Sequence, residues 1–389
     1  MKALCWVGTN HLNVERVPDP EILNPKDAIV RVVLSSVCGS DLHLIDGYVP
    51  SMREGDIIGH EFMGEVVEVG PEVKKLKRGD RVVVASVVGC GGCWFCDHGS
   101  WSLCDNGNAH ASIAEKAYGY SPGGIFGYSH AFGGYAGSHA EYIRVPFADN
   151  GMFKIPDGVS DESAVFVSDG FPTGFMAADM CNIQPGDIVA VWGAGGVGQM
   201  AIRSAFLLGA SRVIAIDRFP ERLAMARIQG KAETLNYEEV DILEALKEMT
   251  GGRGPDHCID AVGQEADTPG ALHYYDLVKQ QLKIETDRPH VLRQAILACR
   301  KGGTLSIVGV YGGYIDKLPM GAAMNKALTF RMGQMHAQKY IPRLLEHVQR
   351  GDVDPAYLLT HRWPLERGQE GYQMFKHKTD ECMRVVFAP

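Results

Sequence analysis

Over roughly the first 150 residues the apolar positions fall in short runs, AIVRVVLSSV, GEVVEVG, DRVVVASVV and AEYIRVP, each cut off by Gly, Pro or Asp. Runs of that length between turn formers predict an irregular β-rich domain. At Ser160 the texture changes. SDESAVFVSDGFPTGFMAADM has a serine in N-cap position with acids behind it, and it predicts a capped helical segment. DIVAVW, VGQMAIRSAFLLG, RVIAID, ERLAMARIQG, HVLRQAILACRKG and TLSIVGVYG then alternate strand with helix to about Gly333, the pattern of a parallel sheet covered on both faces. The tail, KYIPRLLEHVQRG and then ECMRVVFAP, adds a helix and a strand that could rejoin the first domain. The expected division is therefore 1–168 with 334–389, and 169–333. One block breaks the rhythm: residues 264–289 are a polar insertion where a connection normally takes a few residues, and such insertions are functional or disordered.

Composition narrows the class. The chain has 389 residues, more than one core usually serves, with 46% apolar and 22% charged positions. Lys plus Arg number 38 against 47 Asp plus Glu, a net charge of -9 that repels nucleic acid and anionic lipid, and no basic patch offsets it. The N-terminus MKALCWVGTN lacks a signal-peptide core, and no apolar run reaches bilayer length. A soluble, cytoplasmic protein without a nucleic-acid or membrane partner is expected. In a reducing compartment clustered thiols are more often metal ligands than disulfides. Cys90, Cys93, Cys96 and Cys104 are clustered, while Cys5, Cys181, Cys258, Cys299 and Cys382 are scattered and read as small buried hydrophobes.

Three motifs carry chemistry. CGGCWFCDHGSWSLC spaces its thiols Cys-x2-Cys-x2-Cys-x7-Cys, which suits a closed tetrahedral zinc site of structural type. VWGAGGVGQ supplies Gly193, Gly195 and Gly198 after a strand and at the start of a helix, and Asp217 closes the next strand. In that context the glycines permit a tight turn, a close approach to a diphosphate and helix–strand packing, and Asp217 would take the ribose hydroxyls. NAD is favoured over NADP, although Arg218 beside Asp217 could serve a phosphate. Third, CGSDLH places Cys38, Ser40, Asp41 and His43 within one short stretch, and His60 with Glu61 opens GHEFMGEVVEVGPEV. Cys38 and His60 are plausible zinc ligands and SDGFPTG offers Asp169 as a third, but spacing alone cannot assemble them.

A resemblance does. Gly59, His60, Glu61, Gly64, Gly70 and Val73, the four-cysteine lobe and the glycine loop follow, in order along the whole chain, the pattern of the zinc-containing medium-chain alcohol dehydrogenases. That resemblance implies an α/β protein with a GroES-like β-rich catalytic domain and a doubly wound Rossmann domain. It implies two Zn2+ per chain, one structural on the four cysteines and one catalytic on Cys38, His60 and Asp169. It makes Ser40 and His43 a proton relay, Glu61 a group beside the metal, Asp41 an acceptor for a ligand imidazole, and Gly196, Val197 and Val310 further NAD contacts. It also implies a homodimer or homotetramer. The family commonly has Cys where Asp169 stands. An Asp there, together with the insertion, resembles the glutathione-independent formaldehyde dehydrogenase and dismutase branch.

The expected activity is hydride transfer from a small alcohol or hydrated aldehyde to NAD, with substrate oxygen activated by zinc. Two alternatives stay open at this level: a broad-range alcohol or polyol dehydrogenase with exchangeable NAD, and a zinc-stabilised nucleotide-binding sensor without turnover. The stretch 118–139, rich in Gly, aromatic residues and His, reads either as a pocket wall or as a surface loop.

Overall fold

The computed structural model describes residues 1–265, 289–313 and 315–389, so most of the 264–289 insertion lies outside the described residues. The chain forms two compact units, Met1–Pro172 with Met335–Pro389, and Thr173–Gln334. The division falls between Pro172 and Thr173 rather than before Asp169. Asp169 therefore belongs to the same unit as Cys38 and His60.

The first unit is built from short strands, as the interrupted apolar runs demand. A seven-stranded sheet runs in the order Met152–Lys154, Arg81–Val84, Glu61–Val69, Ala28–Ser36, Val385–Ala388 and His361–Pro364, with Tyr142–Val145 also paired to Ala28–Ser36. Ala28–Ser36 and Glu61–Val69 are antiparallel neighbours, with Ser36 opposite Glu61. Their ends thus bring Cys38 and His60 to one place, although many residues separate them along the chain. Behind them lies an apolar core of Val30, Val32, Phe62, Val66, Val82 and Val84. A three-stranded sheet of His11–Arg16, Lys2–Gly8 and Asp56–Ile57 accompanies it. The tail lies in this unit, where Val385–Ala388 pairs with Ala28–Ser36.

The second unit has six parallel strands in the order Glu233–Asn236, Arg212–Asp217, Ile188–Trp192, His257–Asp260, Thr304–Ile307 and Thr329–Met332. Counted along the chain that is 3-2-1-4-5-6, the doubly wound order, whose ligand crevice lies beyond the carboxyl ends of the strands where the order reverses. The two faces of the sheet carry separate apolar cores, one around Trp192, Ile214 and Ile296 and one around Val189, Val191 and Ile202.

The expected continuous helix after Ser160 is broken. Ser160 does cap, its Oγ accepting from Ser163 N, but the helix ends at Ala164. A 3-10 turn covers Val165–Val167, and a new helix, Gly170–Asp179, follows. Asp169 sits in the break. Pro172 lies in the first turn of the new helix, where its missing N–H leaves no bond unmade. The five scattered cysteines are all buried. Among the described residues no helix is long and apolar enough to cross a membrane.

Candidate metal centre and dinucleotide site

Cys38 stands at the head of the helix Gly39–Ile45, so CGSDLH is helical rather than a plain turn. His60 immediately precedes the strand Glu61–Val69. Gly59 takes φ +94°, and a Cβ there would lie 2.7 Å from the His139 ring, so only glycine lets the chain bend into His60 at this point. Together these elements place one ligand-type atom each from Cys38, His60, Glu61 and Asp169 within 4.8 Å of one another. Cys38, His60 and Glu61 are buried, and Asp169 is half-buried.

The donors are oriented by neighbours. His60 Nδ1 lies 3.0 Å from Asp41 Oδ1, which leaves Nε2 for the cluster. Ser86 Oγ donates to Asp169 Oδ2 at 2.5 Å. Glu61 faces Arg384, with Nη1 3.3 Å from Oε1, yet neither buried Glu61 oxygen accepts a hydrogen bond. Arg384 also donates to the Val37 carbonyl.

Such crowding leaves its mark on the protonation equilibria. Burial raises the Glu61 carboxyl to about 7, with Asp169 adding to the rise and Arg384 opposing it. Burial pushes the Cys38 thiol up, and nearby Glu61 adds to it. Burial alone would lower His60, but Asp41 and Cys38 hold it well above its usual value. Asp41 is likewise penalised by burial, and His60 keeps it below the ordinary carboxylate range. These shifts disfavour the thiolate, the ionised Glu61 and the neutral imidazole, which are the forms a metal ligand needs. A divalent cation among them would favour those forms, and the S, N and O donor set is that of zinc.

Ser40 Oγ lies 3.4 Å from both Cys38 Sγ and His60 Nε2. His43 is three residues further along the same helix and is 4% exposed. The aromatic stretch supplies a wall: Tyr128 is buried, its ring edge-on to His60 at 6.2 Å and to Phe132 at 5.3 Å.

The second cluster is the contiguous one. Cys90, Cys93, Cys96 and Cys104 bring their sulfurs within 4.8 Å of one another, and Cys93 Sγ is 3.8 Å from Cys104 Sγ. Tetrahedral zinc with bonds of about 2.3 Å requires sulfurs about 3.8 Å apart, far beyond a disulfide. Burial opposes ionisation of Cys90, but hydrogen bonds from Asn106 and the Gly92 backbone bring that thiol down to about 7. Burial raises Cys96 to about 11.

In the second unit, Gly195 caps the helix Gly196–Leu207, whose first turn contains Val197 and Gly198. A Cβ on Gly198 would come within 1.8 Å of the Gly193 carbonyl, whereas one on Gly195 would meet nothing nearer than Arg222 Nη1 at 3.6 Å. The first glycine is needed for packing, and the second leaves open space over a helix N-terminus. Asp217 ends its strand and accepts from Ala194 N at 2.7 Å, Arg218 N at 2.7 Å and Phe219 N at 3.2 Å. It therefore braces the loop from which it would also reach a ribose. Val310 follows the strand Thr304–Ile307, at the same carboxyl end of the sheet, and its carbonyl accepts from Gln264 N.

Comparison with known proteins agrees with this arrangement. Residues 24–157 match the alcohol dehydrogenase GroES-like domain and residues 196–276 the zinc-binding dehydrogenase domain. An uncharacterized zinc-type alcohol dehydrogenase-like protein of Bacillus subtilis, AdhB, is 40% identical over 392 residues, covering 100% of both chains. The chain belongs to the zinc-type medium-chain alcohol dehydrogenase family. A zinc-type alcohol dehydrogenase-like protein of Schizosaccharomyces pombe is 36% identical across 99% of this chain and 90% of its own. The solved alcohol dehydrogenase TADH from Thermus sp. ATN1 superposes with a TM-score of 0.83 at 34% identity, over 100% of this chain and 99% of its own.

The structure brings Cys38, His60 and Asp169 together, as it does the four cysteines, and Glu61, expected beside the metal, lies in the same set as the first three. Arg384, which faces Glu61, had no place in that expectation. A signal for Arg384 existed: a lone cation inside the apolar run CMRVVFAP calls for a buried partner.

Proposed function

We propose that this zinc-type dehydrogenase oxidises a small alcohol or hydrated aldehyde with NAD, using Cys38, His60 and Asp169 as ligands of a catalytic zinc. The observation that carries the reading is the convergence of these donors, with Glu61, within 4.8 Å in the interior of one unit. When bound, zinc supplies Lewis acidity to a substrate oxygen and nicotinamide supplies a hydride acceptor. Ser40 Oγ, at the rim of the donor set, takes the proton of the substrate hydroxyl. His43, three residues on and on the same helical face, receives it from Ser40. Tyr128 and Phe132 shield the donors from water on one side. The four-cysteine lobe holds a structural zinc. Gly193, Gly195, Gly196, Val197 and Gly198 seat the cofactor diphosphate, with Asp217 and Arg218 at the ribose and Val310 across the crevice.

Asp169, where the family commonly has Cys, resembles the formaldehyde dehydrogenase branch, and that resemblance supports a compact substrate of the formaldehyde type. The relatedness to alcohol dehydrogenases supports a broader alcohol range equally. Steady-state rates with formaldehyde, ethanol and longer alcohols separate the two. Preference for formaldehyde by tenfold or more in kcat/KM selects the first, and rates that rise with chain length reject it. Full activity in metal-stripped protein rejects both. Asp217 favours NAD, so Asp217→Asn, which keeps an acceptor for Ala194 N and removes the charge, is expected to raise the relative affinity for NADP about tenfold. Subunit assembly as a dimer or tetramer is expected and is checked by light scattering.

A further inference from the structure

Behind Asp41 a line of buried polar atoms continues. Tyr372, on the helix Gly368–His377, places its hydroxyl 2.7 Å from Asp41 Oδ2. The same hydroxyl lies 2.7 Å from His139 Nε2. His139 Nδ1 is 2.7 Å from Ser35 Oγ, and Ser35 Oγ is 2.8 Å from Ser138 Oγ. Asp41, His139, Ser35 and Ser138 are each 0% exposed and Tyr372 is 2% exposed, so water does not complete these bonds.

The direction of every bond follows from its end. A carboxylate accepts only, so Tyr372 donates to Asp41 and its oxygen is left to accept from His139 Nε2–H. His139 then has a bare Nδ1, which accepts from the Ser35 hydroxyl. Ser35 in turn accepts from Ser138. All the protons point towards Asp41. Its Oδ2 takes both Tyr372 and the Cys38 N–H, the latter at 2.9 Å, and Oδ1 lies 3.0 Å from His60 Nδ1, a close electrostatic contact that is not aligned as a hydrogen bond. An Asp41 held in this way keeps the His60 proton on Nδ1 and leaves the Nε2 lone pair facing the other donors.

We propose that Tyr372 and His139 are positioning residues for the metal ligand His60, acting through a one-way hydrogen-bond chain, Ser138 to Ser35 to His139 to Tyr372 to Asp41. The chain ties the C-terminal helix to the metal centre, because the single hydroxyl of Tyr372 links a carboxylate and an imidazole that lie 331 and 233 residues away. The competing possibility is that these groups only cement the core, where the His139 ring also packs edge-on against Phe387 at 5.0 Å.

The inference rests on the reading of Cys38, His60 and Asp169 as a zinc site, and the four-cysteine lobe provides an internal control. The full chain is loaded with zinc, and each of its two ions is then titrated away with graded chelator. Tyr372→Phe keeps the ring and deletes only the hydroxyl. The expected result is loss of the ion at Cys38, His60 and Asp169 at about 10- to 100-fold lower chelator, with the four-cysteine ion unmoved. His139→Gln, which offers an amide donor to Tyr372 and an oxygen to Ser35, is expected to fall between wild type and His139→Ala. Equal weakening of both ions, or no change at either, overturns the relay. A wild-type chain that takes up zinc only on the four cysteines overturns the zinc reading and the relay together.

Discussion

The two thiol-bearing clusters of the first unit are built in opposite ways. Cys90, Cys93, Cys96 and Cys104 come from one short stretch and offer four identical donors. Cys38, His60, Glu61 and Asp169 come from three separate segments, and a sulfur, a nitrogen and two carboxylates meet there. Four thiolates satisfy a tetrahedral ion fully and leave no position for a reactant, so the first arrangement can only stabilise. In the second, Cys38, His60 and Asp169 as the ligands would leave a position for substrate, with Glu61 beside them and facing Arg384 at 3.3 Å. Under the proposed function, that contrast would put stability in the contiguous cluster and reactivity in the dispersed one.

The sharpest way to break that contrast is Asp169→Ala. With one of three ligands gone, several kcal/mol of charge stabilisation are lost, and hydride transfer is expected to fall by about a thousandfold or more. Thermal unfolding should shift little, since Asp169 sits in a half-buried break between helices. Retained turnover in a variant shown by metal analysis to carry zinc only on the four cysteines would remove the dispersed cluster from the chemistry.

Cys104→Ser tests the other side. Cys104 is 0% exposed and its sulfur accepts from the Cys90 N–H at 3.2 Å, so its loss opens the lobe from within. A structural zinc contributes folding energy directly, and destabilisation of several kcal/mol is expected, read as a lower melting temperature and a content of one zinc per chain. The initial rate per folded molecule should stay within a few-fold of wild type. A Cys104→Ser protein that melts normally and has lost its turnover would invert the assignment.

The same difference in construction decides how much could be read without coordinates. The four-cysteine lobe was legible because a contiguous site is encoded in its own spacing. The glycine loop was legible because Gly193, Gly195 and Gly198 are ordered by one strand–helix turn. The parallel alternation followed from apolar periodicity, whereas for the tail the pattern offered a return to the first unit only as a possibility. Asp169 was reached by resemblance alone, and the helix break that exposes it was not anticipated. The sequence from Ser160 onward satisfies helical patterning throughout, and the break reflects tertiary placement of a carboxylate near Cys38 and His60. Tyr372 gave no local sign, because a Tyr in an amphipathic helix is ordinary until the fold sets its hydroxyl between Asp41 and His139, and His139 stood out only as the last residue of the stretch 118–139.

The smallest expected effect is also the finest test of why the two clusters differ. Asp169→Cys exchanges one anionic donor for another and makes the dispersed site more like the lobe. Zinc–sulfur bonds are a few tenths of an ångström longer than zinc–oxygen bonds, and the donor from Ser86 loses its carboxylate acceptor. The ion should nevertheless stay, since donor number and charge are unchanged, and kcat should fall by less than about tenfold. Because the fourth position remains open, a thiolate there would not convert the site into a structural one. If Asp169→Cys proves as inactive as Asp169→Ala while still holding two zinc ions per chain, then the identity of the donor controls reactivity. The openness of the dispersed cluster would then not be what sets it apart from the lobe.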